Sequence, residues 1–257
     1  MKYKIISLVA ASFFFSGCAG SLSTAVPNNT ITYSEQAENA YIVFSRPSIL
    51  GAALSNTIIE FDPKTHNTKY VGTLGAQTRI AYKTSPGTHY FYMSGGENDD
   101  MIKIITQKAT EYYIHTQPQI GLVAGRFYFK PIRYHSVKIA KTLKNAACDQ
   151  NILNQYMFKA IKDDSSNLLG VKKYHSSKHN IDIECKKDTV IKSKYAGITF
   201  EELSETPLIQ PNEKGYAYYK EHLPTYLNEI KEDFTEWDRE DSAQTALHPN
   251  DGKPLGQ

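Results

Sequence analysis

The chain has 257 residues, of which 40% are hydrophobic and 22% charged, enough to bury one core or one core with a satellite and too apolar for a disordered segment. Lys2 and Lys4 lie in a leader, so the remaining 27 basic residues face 27 acidic ones. A neutral chain lacks the basic face that general nucleic-acid binding needs.

In chain order, the first element is a targeting signal. Lys2 and Lys4 form a positive head, residues 5–15 an apolar run too short to span a bilayer as a mature helix, and Ser16-Gly17-Cys18 closes it. Phe15-Ser16-Gly17-Cys18 resembles the bacterial lipobox, with phenylalanine where leucine is usual. That resemblance implies a signal peptide over residues 1–17, acylation of Cys18 by palmitate-type chains, and, with Ala19 next, an outer-membrane lipoprotein facing the periplasm. Several acyl chains, at roughly 0.8 kcal/mol per buried methylene, make such an anchor permanent. Residues 18–39 are rich in Ser, Thr, Asn, Pro and Ala without apolar period, and predict a flexible tether.

Eight short runs follow, at residues 40–45, 55–61, 68–74, 77–84, 89–94, 101–107, 111–117 and 126–133. Ile80 and Tyr82 alternate with Arg79, Ala81 and Lys83, the period of a strand with one buried face. Ser85-Pro86-Gly87-Thr88 carries the proline and glycine of a tight turn, and predicts a hairpin between the runs on either side. The count and spacing predict a mainly β domain over residues 40–134, an antiparallel β-sandwich of seven to eight strands with an added C-terminal helical region, α+β overall.

The stretches Tyr41-Ile42-Val43-Phe44-Ser45-Arg46-Pro47-Ser48, Gly51-Ala52-Ala53, Val71-Gly72-Thr73-Leu74, Ser85-Pro86-Gly87-Thr88-His89, Thr110-Glu111-Tyr112-Tyr113 and Arg126-Phe127 together resemble bacterial lipoproteins grouped as domain-of-unknown-function family 2846, over roughly residues 41–133. The resemblance implies a small β-sandwich behind a lipid anchor. It carries over no catalytic residue.

Residues 133–194 hold thirteen Lys and Arg against six Asp and Glu, whereas residues 212–257 hold five against ten. Apolar spacing from Val137 to Ala160 predicts helix, residues 164–180 a polar loop, and residues 181–185 a short strand, so the extension over 135–241 reads as mixed and mostly helical. Cys148 and Cys185 remain once Cys18 is acylated, and an oxidising compartment favours a disulfide between them over two buried thiols. From Asn212 a stripe of Tyr216, Tyr219, Leu223, Tyr226, Ile230, Phe234 and Trp237 predicts an amphipathic helix docked on its own core, broken or kinked at Pro224. Residues 242–257 predict a disordered tail.

No catalytic set, cofactor site or metal site is expected. His175 and His179 stand four apart without a third ligand, residues 97–100 lack the alternation of a calcium loop, and the glycine-flanked residues 121–125 lack the lysine of a phosphate loop. His89, His115 and Asp99 are the candidates for a hydrolase or glycan-modifying site assembled from distant positions. Tyr90, Tyr92, Tyr113 and Tyr128 are the candidate ligand face, free to stack on sugars or clasp a peptide unless later helices cover them. The function expected is a non-enzymatic binding or assembly role in the envelope. An envelope protein or the cell wall is the partner, and the alternatives are the periplasmic enzyme and a peptidoglycan-binding module.

Overall fold

The computed structural model describes residues 22–33, 38–161, 170–240 and 247–255. Cys18, the leader and the polar residues 162–169 lie outside the described residues. The structure is strand-dominated, with sandwich-like sheets and a C-terminal helix, as the alternating runs imply.

The first sheet contains β1 (Ser23–Ala25), β2 (Ala40–Arg46), β5 (Thr78–Thr84), β8 (Thr110–Ile120), β9 (Gly125–Ile132), β14 (Leu208–Pro211) and β15 (Lys253–Pro254). Two of its pairings, β2 with β8 and β14 with β5, run parallel, and its other pairings run antiparallel. The second sheet is antiparallel, in the order β4 (Thr68–Leu74), β3 (Asn56–Phe61), β6 (Gly87–Gly95), β7 (Asn98–Thr106). Ile42, Phe44, Ile80, Tyr112, Ile114, Phe127 and Phe129 from the first layer meet Ile58, Phe91, Met93, Ile102 and Ile104 from the second in one core. These are the inward members of each alternating strand.

The expected hairpin at residues 85–88 does not form. β5 pairs with β2 and β14, and β6 with β3 and β7, so the Ser-Pro-Gly-Thr turn carries the chain from one layer to the other. A tight turn reverses direction whether the returning strand bonds its neighbour or crosses to the facing sheet, and the two cases share one turn chemistry.

Side chains sew the two layers together along the β7–β9 edge. Asn98 Nδ2 donates to the Phe127 carbonyl at 2.9 Å while its Oδ1 accepts from the Phe127 N–H at 2.8 Å, and Asp100 Oδ2 accepts from the Phe129 N–H at 2.5 Å. Residues 98–100, which lack the alternation of a calcium loop, thus stand in for a missing strand, satisfying edge groups that a sandwich otherwise leaves open.

After β9 come α1 (Tyr134–Leu143) and α2 (Gln150–Gln155), the latter capped by Asp149. A third sheet follows, β10 (Lys159–Ala160), β11 (Val171–Ser176), β12 (Ile181–Lys186) and β13 (Thr189–Tyr195). The extension is therefore less helical than its sequence suggests. The expected polar loop contains β11, and the expected strand at 181–185 is the centre of a sheet whose Ile181, Ile183, Cys185 and Val190 pack on Val137, Ala140 and Leu143 of α1. Lysine-rich outward positions disguise these strands, because a lysine stem lies along a sheet while its ammonium stays in water.

A short helix α3 (Phe200–Glu205), opened by a Thr199–Glu202 capping box, leads into β14 and α4 (Glu213–Glu240). α4 lies across the outer face of the second sheet, where Tyr219, Tyr226, Ile230 and Trp237 are buried against Ile59, Phe61, Tyr70, Tyr92 and Met101. It continues through Pro224 as one helix, so of the expected break or kink the break does not occur. An interior proline costs about 3 kcal/mol, and the docked stripe on both sides of it outweighs that.

Two segments expected to be loose are docked. β1 pairs with β14, Arg79 donates to the carbonyls of Asn29 and Thr206 at 2.9 and 2.7 Å, and Tyr33 donates to buried Glu111 at 2.9 Å, so residues 22–33 are not a free tether. Leu247 is fully buried in the sandwich core and β15 pairs with β8, so residues 247–255 are not a disordered tail.

Candidate functional site

The sandwich has two ends, and the one bearing the β3–β4 turn opens into a groove of about 670 Å³. Four strands supply it. Glu60, Phe61, Lys69, His89, Tyr90 and Lys103 line it, with Asp62 and Lys64 at the turn.

Glu60 and His89 lie on neighbouring strands β3 and β6, and His89 Nδ1 meets Glu60 Oε1 at 2.5 Å. The Tyr82 hydroxyl donates to the other Glu60 oxygen. Burial alone raises a carboxyl pKa, but the hydrogen bonds from His89 and Tyr82 outweigh it, and Glu60 sits below the usual carboxylate range. Burial, reinforced by the Glu60 charge, pushes the Tyr82 phenol well up, so it is a donor that keeps its proton. His89 Nε2 faces the Ser85 carbonyl at 2.8 Å. Both ring nitrogens therefore face hydrogen-bonding oxygens of the protein itself.

Among the described residues the ammonium groups of Lys64, Lys69 and Lys103 enter no hydrogen bond or close ion pair, although Lys69 lies in the field of Glu60 and Lys64 in that of Asp62. The Lys69 ammonium stands 4.8 Å from the centre of the Tyr82 ring and that of Lys103 5.8 Å from the Tyr90 ring. Asp62 is spent on its turn, accepting from the backbone N–H groups of Lys64 and Thr65. The groove thus combines Lys64, Lys69 and Lys103 with Phe61 and Tyr90 in its lining, a set suited to holding an anion with an apolar or flat body.

His89, His115 and Asp99 are not brought together. His115 is buried on the outer face of the first sheet beside Ser45, its Nδ1 without a partner, and burial lowers its pKa to about 4. Asp99 is the second residue of β7, and burial, with a smaller contribution from Asp233 of α4, raises its pKa. The four tyrosines do not share a face. Tyr92 is fully buried beneath α4 with its hydroxyl donating to Glu229, and half-buried Tyr90 packs on Phe234 with ring centres 5.7 Å apart. Tyr113 and Tyr128 lie on the other sheet, Tyr113 donating to Glu111 at 2.7 Å. Tyr90 alone of the four reaches the groove.

Cys148 and Cys185 stand at disulfide-bonding distance, their Cα atoms 6.1 Å apart. His175 sits on β11 and bonds Asp182 at 2.8 Å, while His179 packs on Tyr156. Among the described residues no group of three or more His, Cys, Asp or Glu is placed to hold a metal, and no helix is long and apolar enough to cross a membrane.

Sequence reasoning named His89 and Tyr90 but missed Glu60, Lys69 and Lys103. The alternation of their strands predicts which face each occupies, and nothing in the letters pairs β3 with β6. No protein-family model matches the chain, and no curated protein matches it.

Proposed function

We propose that this protein is a lipid-anchored component of the bacterial envelope, held through acylated Cys18 at the outer membrane and facing the periplasm. Its body, a sandwich of the family 2846 kind, has a non-enzymatic binding role. The groove between Lys64, Lys69 and Lys103 receives an anionic group of its partner, such as the carboxylates of cell-wall peptide or glycan. The observation that carries the reading is the contrast within the groove: its histidine and carboxylate are consumed by each other and by Tyr82 and Ser85, while its lysines are left to bind. The positive head, apolar run and lipobox-like Phe15-Ser16-Gly17-Cys18 support the anchor, and two cysteines at bonding distance suit an oxidising compartment.

Two experiments test the two halves separately. Metabolic labelling with a palmitate analogue is expected to mark the parent and not Cys18→Ser; label in the variant removes the anchor. Purified protein is expected to sediment with isolated peptidoglycan, and Lys69→Ala with Lys103→Ala to weaken that binding about tenfold while shifting stability by no more than about 0.5 kcal/mol. Equal sedimentation of parent and variant removes the groove.

A further inference from the structure

At the end of the sandwich opposite the groove, three loops converge: residues 47–55 after β2, the β6–β7 turn at residues 95–98, and the β8–β9 hairpin tip at residues 120–125. Leu54 lies against Gly125 and Gly51 against Phe127, so the first loop and the tip form one surface. The four most exposed large apolar side chains among the described residues are all here: Val123 at 95%, Leu122 at 91%, Ile120 at 86% and Ile49 at 69%, with Leu50 beside them at 46%. Scattered apolar residues on a surface need no explanation, but this cluster at one end does.

Two observations identify what covers it. Residues 47–55 and 117–125 contain no ionisable side chain, and in the turn Glu97 is matched by Arg126, whose Nε lies 3.3 Å away. No charge is offered to a charged partner. The tip's backbone donors are also already used: Leu122, Val123 and Ala124 all donate to the Glu97 carboxylate, and Gly121 donates to the Ala124 carbonyl at 2.9 Å. A loop that grips protein through its main chain leaves such groups available, whereas entry into hydrocarbon requires them to be satisfied within the protein.

We propose that this end is a lipid-inserting tip, with Ile120, Leu122, Val123 and Ile49 entering the acyl layer of a bilayer without regard to headgroup charge. It requires no acylation of Cys18.

The test places tryptophan at the tip of the full chain, Val123→Trp, and at the exposed far turn, Thr65→Trp, with the unsubstituted protein subtracting the signal of Trp237. On phosphatidylcholine vesicles carrying an acyl-chain nitroxide, the tip tryptophan is expected to shift to shorter wavelength and to be quenched several-fold more than the one at residue 65. Adding phosphatidylglycerol or salt should leave this unchanged, and Ile120→Ser with Leu122→Ser should abolish it. A tip emission indifferent to vesicles, equal quenching at both ends, or the same shift from self-association in the absence of lipid each overturns the proposal.

Discussion

The two ends of the sandwich are made of the same strands and have opposite chemistry. At the groove, Glu60, Lys69 and Lys103 bring charge to the ends of β3, β4 and β7, His89 of β6 is bonded to Glu60, and the neighbouring turn spends its carboxylate on its own backbone. At the tip, the single carboxylate is turned inward to hold a loop whose outward side chains are aliphatic. A sandwich fixes its middle by alternation and leaves both ends to loops, so the ends diverge without disturbing the core.

The largest break in this comparison comes from Arg46, which ends β2 at the tip side and is fully buried. Its guanidinium donates to the carbonyls of Leu50, Gly51 and Leu54 and to Asn56 Oδ1 at 2.6–3.1 Å, and covers the Phe127 ring. No carboxylate is among those acceptors, and burial lowers its pKa to about 10. Arg46→Met strands several buried acceptors and is expected to cost about 4 kcal/mol in urea denaturation. The loss should fall on the tip loop, with ligand affinity at the groove unchanged per folded molecule. A stable variant with an unaltered tip shows that the loop holds itself.

His89→Ala sharpens the groove side. Removing the donor to Glu60 is expected to cost about 1–2 kcal/mol at neutral pH. Glu60 is held below the usual carboxylate range, so its contribution is present above that range and lost as pH falls through its folded pKa. Acid titration of stability should therefore lose part of its slope in the variant. The same acid limb in both proteins dissociates Glu60 from His89.

Glu97→Gln probes the tip in kind. Three backbone N–H donors and Arg126 hold the carboxyl at about pKa 2, so the loop is expected to stay ordered until the pH approaches that value. The variant should speed hydrogen exchange at Leu122, Val123 and Ala124 across the whole range, with no change near Glu60. Unchanged exchange separates the loop's order from this side chain.

The smallest effect lies on the flank between the ends, where Tyr92, Asp99, Glu229 and Asp233 meet under α4. Burial raises the pKa of both Asp99 and Glu229, with like charges adding to it. Raised carboxylates penalise the docked state above their folded pKa, and the penalty is relieved as pH falls through it. Proteolysis of α4 is thus expected to slow modestly between pH 7 and pH 5, and Glu229→Gln to remove part of that dependence. Faster cleavage on acidification reverses the sign and the claim.

Much of the sandwich was legible because alternation reports burial directly, as at Ile80 and Tyr82 or Ile102 and Ile104. What escaped was pairing. Ser85-Pro86-Gly87-Thr88 announces a reversal but not a change of layer, and Glu60 and His89 meet only because β3 and β6 are neighbours. β1 is three residues long and Leu247 is a lone apolar anchor, each too short to set a period. Residues 121–125 read as a failed phosphate loop, since letters do not distinguish an aliphatic residue in a core from one standing 95% exposed.

The three-residue pairing of Ser23–Ala25 with Ile209–Pro211 has a mechanical consequence. Five peptide units separate residues 18 and 23, a leash of at most about 18 Å. An acyl chain at Cys18 would moor the body against the headgroups with no room to swing outward, and whatever the lysines seize would have to come down to the leaflet to be caught.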